Sequence, residues 1–511
     1  MKARLLHPHW DFSTKQELPP QAGTLVQDLE LDTLVDAMAA GDGFVADVAR
    51  RVILTSLAEP QAILYRQRVL RDCLMFPAEV RQIYQLAVEA IELEKKHHWG
   101  IFSNYPDAIL HRAVEVLQVF IGKLMALRQF AEGHAGTFQS EGFVNLFAML
   151  QRELDDSYFA DIQQHLRKLR FRDGVTISAR LGKGNVGIDF VLREPARNGG
   201  GWLRQILGRA APSFVYRIAG RDEAGARALA ELRQEGINLV ANALAQSTDH
   251  ILSFFTALRT ELAFYVGCLN LHERLTRKGE PTAFPVPTAA HERTLHCEDL
   301  YDVCLSLNIV PNVVGNAVDA KAAELTFITG ANQGGKSTLL RALGLAQLMM
   351  QCGMFVAARS FSANVCSAMF THFKREEDST MKSGKLDEEL ARMSDIVNHL
   401  GRNALVLFNE SFAATNEREG SEIARQILRA LLARRIKICF VTHMYELAHS
   451  FARSRKKNVM FLRAERRADG ERTFKIIPGA PLKTSYGRDL HSRIFEAAQA
   501  AVPADEPVEA V

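Results

Sequence analysis

Residues 330 to 338 read Gly-Ala-Asn-Gln-Gly-Gly-Lys-Ser-Thr, and no other stretch narrows the possible folds as far. Gly330, Gly335, Lys336 and Ser337 fall on the fixed positions of the phosphate-binding pattern G-x-x-x-x-G-K-[ST]. Leu325-Thr326-Phe327-Ile328 ahead of the loop reads as a short buried strand, and Ser337 to Met350 behind it is helical in pattern. A glycine-rich turn between strand and helix points backbone N–H groups and the positive end of the helix at one spot. The cradle would be made by Gly330, Ala331, Asn332, Gln333, Gly334, Gly335, Lys336, Ser337 and Thr338. Lys336 then adds a point charge toward the β- and γ-phosphates of a nucleotide, and the Ser337 hydroxyl can ligate Mg²⁺.

An acidic strand follows downstream. Ala404-Leu405-Val406-Leu407-Phe408 is an unbroken apolar run, as expected of a parallel strand buried on both faces, and it ends in Asn409-Glu410. The first of these two positions usually serves the Mg²⁺ shell, and the second orients or deprotonates the attacking water. Glu410 suits the second role. Asn409 brings an amide where a carboxylate is usual, which predicts secure nucleotide binding with slowed hydrolysis. A further strand, Ile436 to Val441, runs into Thr442-His443. His443 sits where a γ-phosphate sensor would, although a lone histidine at a strand end is more often structural.

Together these blocks resemble the MutS-type ATPases of DNA mismatch repair. Ile328 to Thr338 looks like that family's phosphate loop. Leu405 to Glu410 with Ala414-Thr415-Asn416-Glu417-Arg418-Glu419-Gly420 is similar to its acidic strand and following loop. Val441 to Leu447 resembles its switch-histidine segment, and Lys483-Thr484-Ser485-Tyr486-Gly487 its closing motif. A weaker likeness to the start of the family's helical core covers Arg50 to Leu70. The resemblance implies ATP and Mg²⁺ as cofactors, a homodimer formed through the ATPase heads, and catalytic roles for Glu410 and His443, with Ser337 and Asn409 at the metal. The family's mismatch-reading domain, with its Phe-x-Glu wedge, has no expected counterpart here. Met381 to Glu388 departs from the Ser-rich element that reaches a partner's nucleotide, and Val313 stands where the family stacks an aromatic on adenine.

Composition sets the compartment. Seven cysteines are scattered without a C-x-x-C pair and read as buried thiols in a reducing environment. Met1 to His9 carries no apolar h-region, and no stretch is expected to span a membrane. The expected location is cytoplasmic, associated with the nucleoid. The net charge of +3 is too small to argue for a polyanion partner.

Its distribution says more. From Arg167 to Arg217, eleven Lys or Arg stand against three acids, so a local net of +8 sits in a chain of total +3. Within that span Val175 to Leu181 and Ile188 to Leu192 alternate as strands around a Gly182-Lys183-Gly184-Asn185 turn, with a third strand expected at 214–218. Arg167, Lys168, Arg170, Arg172, Arg180 and Lys183 are the candidate contacts to a DNA backbone, read without sequence preference. Asn238 to Lys278 has no proline and a helical apolar period, which predicts one long coupling helix.

The expected fold is therefore an α/β P-loop ATPase head of the ABC/MutS type, preceded by a mostly α-helical core/lever domain with a small β insertion. The expected divisions are a lead segment 1–28, a core/lever domain 29–280 with a basic hairpin insertion at about 173–219, a head at 281–490, and a short helix and disordered tail at 491–511. Three functions fit. The first is a MutS-like, DNA-dependent ATPase of repair or recombination. The others are a nucleotide-gated, DNA-associated scaffold with little hydrolysis and an SMC- or ABC-like ATPase with a non-DNA partner.

Overall fold

The computed structural model describes residues 1–98, 106–171, 174–193, 215, 217–219, 221–309, 313–375, 384–454, 457–467 and 472–483. Two compact units emerge. The first comprises Met1–Arg4, Ala78–Gln139 and Phe143–Glu261, and the second Leu5–Pro77, Ser140–Gly142 and Leu262–Val511.

The first unit is helical with one hairpin. Helices Pro106–Gly133, Glu141–Glu153 and Asp156–Lys168 are amphipathic, the first burying Leu110, Val114, Leu117, Ile121 and Leu124. Asp155 caps the last of them by accepting the Tyr158 N–H at 2.7 Å. Phe138, Phe143 and Phe147 pack as an aromatic group with Phe130, and Phe120 meets Phe255 at 5.6 Å between ring centroids. Strands Thr176–Leu181 and Gly187–Arg193 pair antiparallel around a tight turn in which Gly184 takes φ 72°. The hairpin rests on the helix Glu223–Arg277 at Gly236, where a Cβ would come within 2.5 Å of Ile177.

That helix is longer than the sequence period predicts, 55 residues instead of a start at Asn238. Residues 223–235 are mostly exposed, Leu229 and Leu232 among them. Among the described residues it is the one helix long and apolar enough to cross a membrane by length and composition, and 72% of its most apolar window is buried inside the fold. Its last turns belong to the second unit, where Tyr265 donates to the Leu5 carbonyl at 2.7 Å and Asn270 to the Met38 carbonyl at 2.8 Å.

The second unit contains the head. Its six-stranded sheet runs, in spatial order, Arg472–Pro478, Val459–Arg466, Leu325–Thr329, Lys437–Val441, Leu405–Asn409 and Met369–Phe373. All neighbours are parallel except the first pair. The loop-bearing strand is thus flanked by the switch strand, and the acidic strand lies one place further out. One face presents Phe327, Val406, Phe408, Ile438 and Phe440 to helices Lys385–His399, Glu417–Ala433 and Tyr445–Arg453. Residues alternate to the other face, so both faces demand mostly apolar side chains, and Ala404 to Phe408 reads as an unbroken run.

Helix Lys336–Gln351 touches that sheet and also a second sheet of four short strands, ordered Val286–Thr288, Ser360–Asn364, Leu295–Leu300 and Asn316–Asp319. Packing on two sides explains why this helix is buried along nearly its whole length. Gly344 marks the closest approach, since a Cβ there would lie 2.7 Å from Leu407 and 2.9 Å from Leu29.

The units divide the chain differently from the expected 29–280 lever and 281–490 head. Residues 5–77 fold with the head. Asp28 pairs with Arg375 at 2.8 Å, and Arg341, on the helix after the phosphate loop, pairs with Glu30 and Asp302. Helical periodicity identifies a buried face but not its partner, which is why the lead segment could not be assigned from sequence. Of the third expected strand, Phe214 and Tyr216 lie outside the described residues, and Val215, Arg217 and Ile218 form no strand.

Candidate nucleotide site

The phosphate loop leaves its strand at Gly330, with φ 112°, and enters its helix at Gly335, with φ 87°. Both are left-handed conformations that glycine adopts at little cost. Gly334 is needed for space: a Cβ there would sit 2.7 Å from the Ala464 Cβ on the neighbouring strand. Gln333 is left-handed at φ 60°, and its side-chain oxygen accepts a 2.6 Å hydrogen bond from Arg472. Arg472 was not expected from sequence, being 139 residues away.

Lys336 is 4% exposed and folds back over its own loop, donating to the Gly330 carbonyl at 3.0 Å and the Ala331 carbonyl at 2.9 Å. Burial lowers its pKa, while the Glu410 carboxylate works in the opposite direction. Next to it, Ser337 Oγ donates to Asn409 Oδ1 at 2.8 Å. The two residues assigned to the metal shell are therefore in direct contact across 72 residues of sequence. Both are hard, neutral oxygens of a kind Mg²⁺ takes, so the donor chemistry fits that ion, with negative charge left to the phosphates.

Glu410 and His443 meet at the same sheet edge. The register places Val441 beside both Ile328 and Asn409, so the next residues of three strands emerge together. Glu410 donates its N–H to the Val441 carbonyl at 2.9 Å, and Thr442 donates to Ile328 at 3.1 Å. His443 Nδ1 lies 3.8 Å from Glu410 Oε2, an ion-pair distance with both side chains partly open to solvent. His443 holds the Glu410 carboxyl below its ordinary range against burial, with Lys336 and Lys374 adding to the effect. Lys374 was missed by sequence reading. Its backbone N–H donates to the Asn409 carbonyl at 2.9 Å, which places it at the end of the adjoining strand.

The segment Ala414 to Gly420 has a local structural reason. Asn416 caps helix Glu417–Ala433 by accepting the Glu419 N–H at 2.9 Å, and the Glu419 carboxylate accepts from Thr415 and Asn416. Gly420 lets the helix pass against the Phe412 carbonyl, which a Cβ would strike. Val313 is half-buried, and Gly384 to Glu388 are described while Met381 to Ser383 are not. Of the closing motif only Lys483 lies among the described residues, and the tail 491–511 lies outside them.

The candidate backbone contacts belong to the first unit. Arg167, Lys168, Arg170, Arg180 and Lys183 are all exposed, and Arg172 lies outside the described residues. Arg170 donates to Gln118 at 3.0 Å, and Arg180 lies 3.4 Å from Asp189 across the hairpin, which offsets part of its charge.

Two family profiles match the chain: the MutS2 N-terminal domain over residues 58–278 and MutS domain V over residues 326–505. The DNA mismatch repair protein MutS of Streptococcus mutans serotype c (strain ATCC 700610 / UA159) is 28% identical over 266 residues, covering 50% of this chain and 30% of the relative. The protein of the same name from Streptococcus pneumoniae (strain Hungary19A-6) is 31% identical over 199 residues, covering 38% and 22%. That of Leptospira interrogans serogroup Icterohaemorrhagiae serovar copenhageni (strain Fiocruz L1-130) is 27% identical over 205 residues, covering 39% and 24%. The chain thus spans less than a third of the length of each of these relatives.

Proposed function

We propose that this chain, which belongs to the MutS family, is an ATP-binding protein with slow ATPase activity whose nucleotide state alters its hold on DNA in repair or recombination. The observation that carries this reading is the meeting of Lys336, Ser337, Asn409, Glu410 and His443 at one sheet edge. Lys336 would exchange its two carbonyl partners for phosphate oxygens, joined by the N–H groups of Gly330 to Thr338. Ser337 Oγ and Asn409 Oδ1 would hold Mg²⁺, which neutralises charge on the β- and γ-oxygens when bound. Glu410, ionised at neutral pH, is placed to take a proton from water, and His443 to keep that carboxylate oriented.

Asn409 sets the rate in this account. It accepts the Ser337 hydroxyl as an aspartate would, but supplies no negative charge. Asn409→Asp should therefore raise steady-state turnover about tenfold, roughly 1.4 kcal/mol of barrier. An unchanged rate would remove Asn409 as the reason for slow hydrolysis. The same residue favours a second reading, a nucleotide-gated scaffold on DNA that scarcely turns ATP over. An SMC- or ABC-like role with a non-DNA partner has no observation in its favour.

Contact with DNA rests on the exposed basic residues Arg167, Lys168, Arg170, Arg180 and Lys183, which suit phosphates and carry no base readout. Replacing Arg167, Lys168 and Arg170 together by alanine should flatten the slope of log affinity against log salt by up to about 2.7, at about 0.9 per phosphate contact. An unaltered slope in a fluorescence titration of duplex DNA would place the contact elsewhere. Pairing of two heads into a homodimer and a cytoplasmic, nucleoid-associated location complete the proposal.

A further inference from the structure

The turn that carries Glu410 is held in an unfavourable shape. Glu410 and Phe412 both take left-handed backbone, with φ 54° and 63°, and neither is glycine. Such a turn persists only when its surroundings fix it. On one side, the Glu410 N–H is bound by the Val441 carbonyl. On the other, helix Lys385–His399 holds it twice through a single residue. The Glu389 carboxylate accepts the Phe412 N–H at 2.9 Å, and the Glu389 carbonyl lies 2.9 Å from His372 Nε2. His372 in turn grips the residue between, with Ser411 Oγ 2.7 Å from its Nδ1 and 2.5 Å from its own carbonyl.

Hydrogen counting makes this chain specific. A carbonyl can only accept, so His372 presents Nε2–H to Glu389 and leaves Nδ1 as an acceptor. Burial keeps the ring neutral, with its pKa pushed down to about 4. The single Ser411 proton can then go to Nδ1 or to the His372 carbonyl. His372 and Ser411 are wholly buried, and Glu389 is 4% exposed. A buried carboxylate on a backbone N–H beside a water-activating glutamate does more than fill space, because the N–H it holds lies two residues from that glutamate.

We propose that Glu389 is a positioning residue for hydrolysis: by fixing the Glu410–Phe412 turn it aims the Glu410 carboxylate at the attacking water. This rests on the reading of Glu410 as the water-activating group. Glu389 touches neither the phosphate loop nor the metal residues in any described hydrogen bond, so its loss should affect the chemical step and not nucleotide affinity.

The test compares ATP binding, steady-state kcat and amide hydrogen exchange of residues 410–414 in Glu389→Ala, Glu389→Asp and Glu389→Gln. Alanine removes the acceptor, aspartate withdraws it by one methylene, and glutamine keeps an acceptor oxygen in place. The alanine and aspartate variants should lose about tenfold in kcat with affinity for ATP within about twofold, and glutamine should recover most of the rate. Exchange at 410–414 should quicken in the first two and stay near wild type in the third. If the alanine variant does not fold, the aspartate variant carries the comparison. Wild-type kcat in the folded variants, or equal losses in affinity and rate, would overturn the proposal. Should the wild type show no turnover, the hydrolysis reading fails separately, and exchange decides: protection at 410–414 unchanged without the carboxylate would overturn the positioning role.

Discussion

Lys336→Ala should abolish nucleotide binding, with affinity for ATP falling by at least about a hundredfold, roughly 3 kcal/mol. The side chain is almost fully buried and already spends its protons on the Gly330 and Ala331 carbonyls. Such a lysine is desolvated before a ligand arrives, so its attraction for phosphate is not diluted by water. Its preference for the charged form is weakened by burial and restored in part by Glu410. A phosphate would strengthen that restoration, which is the physical link between binding and the ammonium charge. The alanine variant also leaves two loop carbonyls without their lysine donor, both on partly exposed residues that water can serve, so the fold should survive. Calorimetric titration with Mg-ATP reads the effect directly. Unchanged affinity would remove the site assignment.

The second large effect belongs to Glu410. Glu410→Gln should lower turnover by about a hundredfold to a thousandfold while leaving ATP affinity near wild type, since general-base contributions are of about that size. Glutamine keeps the shape and cannot take a proton. The carboxyl is held below its ordinary value of 4.5, first by His443 and then by Lys336 and Lys374. It is therefore ionised across the near-neutral range, and wild-type turnover should show no acid limb from this group above that value. Single-turnover measurements with radiolabelled ATP separate the loss of chemistry from any loss of binding. A glutamine variant with wild-type turnover would move the base elsewhere.

Much of this site was legible because its strands are buried on both faces. Leu325 to Thr329, Leu405 to Asn409 and Lys437 to Val441 are mostly apolar because helices cover both sides of the sheet. Their ends carry Gly330, Asn409 and Thr442-His443, so chemistry and strand ends coincide in sequence as they do in space. The second sheet was not legible. Its strands have three to six residues and mixed polarity, as in Leu295-His-Cys-Glu-Asp-Leu300, too short for a period to emerge.

Contacts made at long range left even less trace. Glu389 lies in the acidic run Asp387-Glu388-Glu389, which resembles the solvated first turn of a helix, yet only Glu389 of the three is buried. His372 interrupts the largely apolar strand Met369–Phe373, and its partner in the core is the Ser411 hydroxyl. Asp28 and Glu30 join the head through Arg375 and Arg341, each more than 300 residues away. A periodic pattern tells a helix which face to bury. It does not name the element that buries it.

Steady-state ATP turnover during titration with duplex and branched DNA, with Lys336→Ala as the blank, tests the account most directly. The wild-type rate should lie above the blank and change severalfold with DNA, the preferred DNA producing the larger change. A rate at the blank's level on every DNA would contradict it and leave ATP as a bound ligand or switch without turnover.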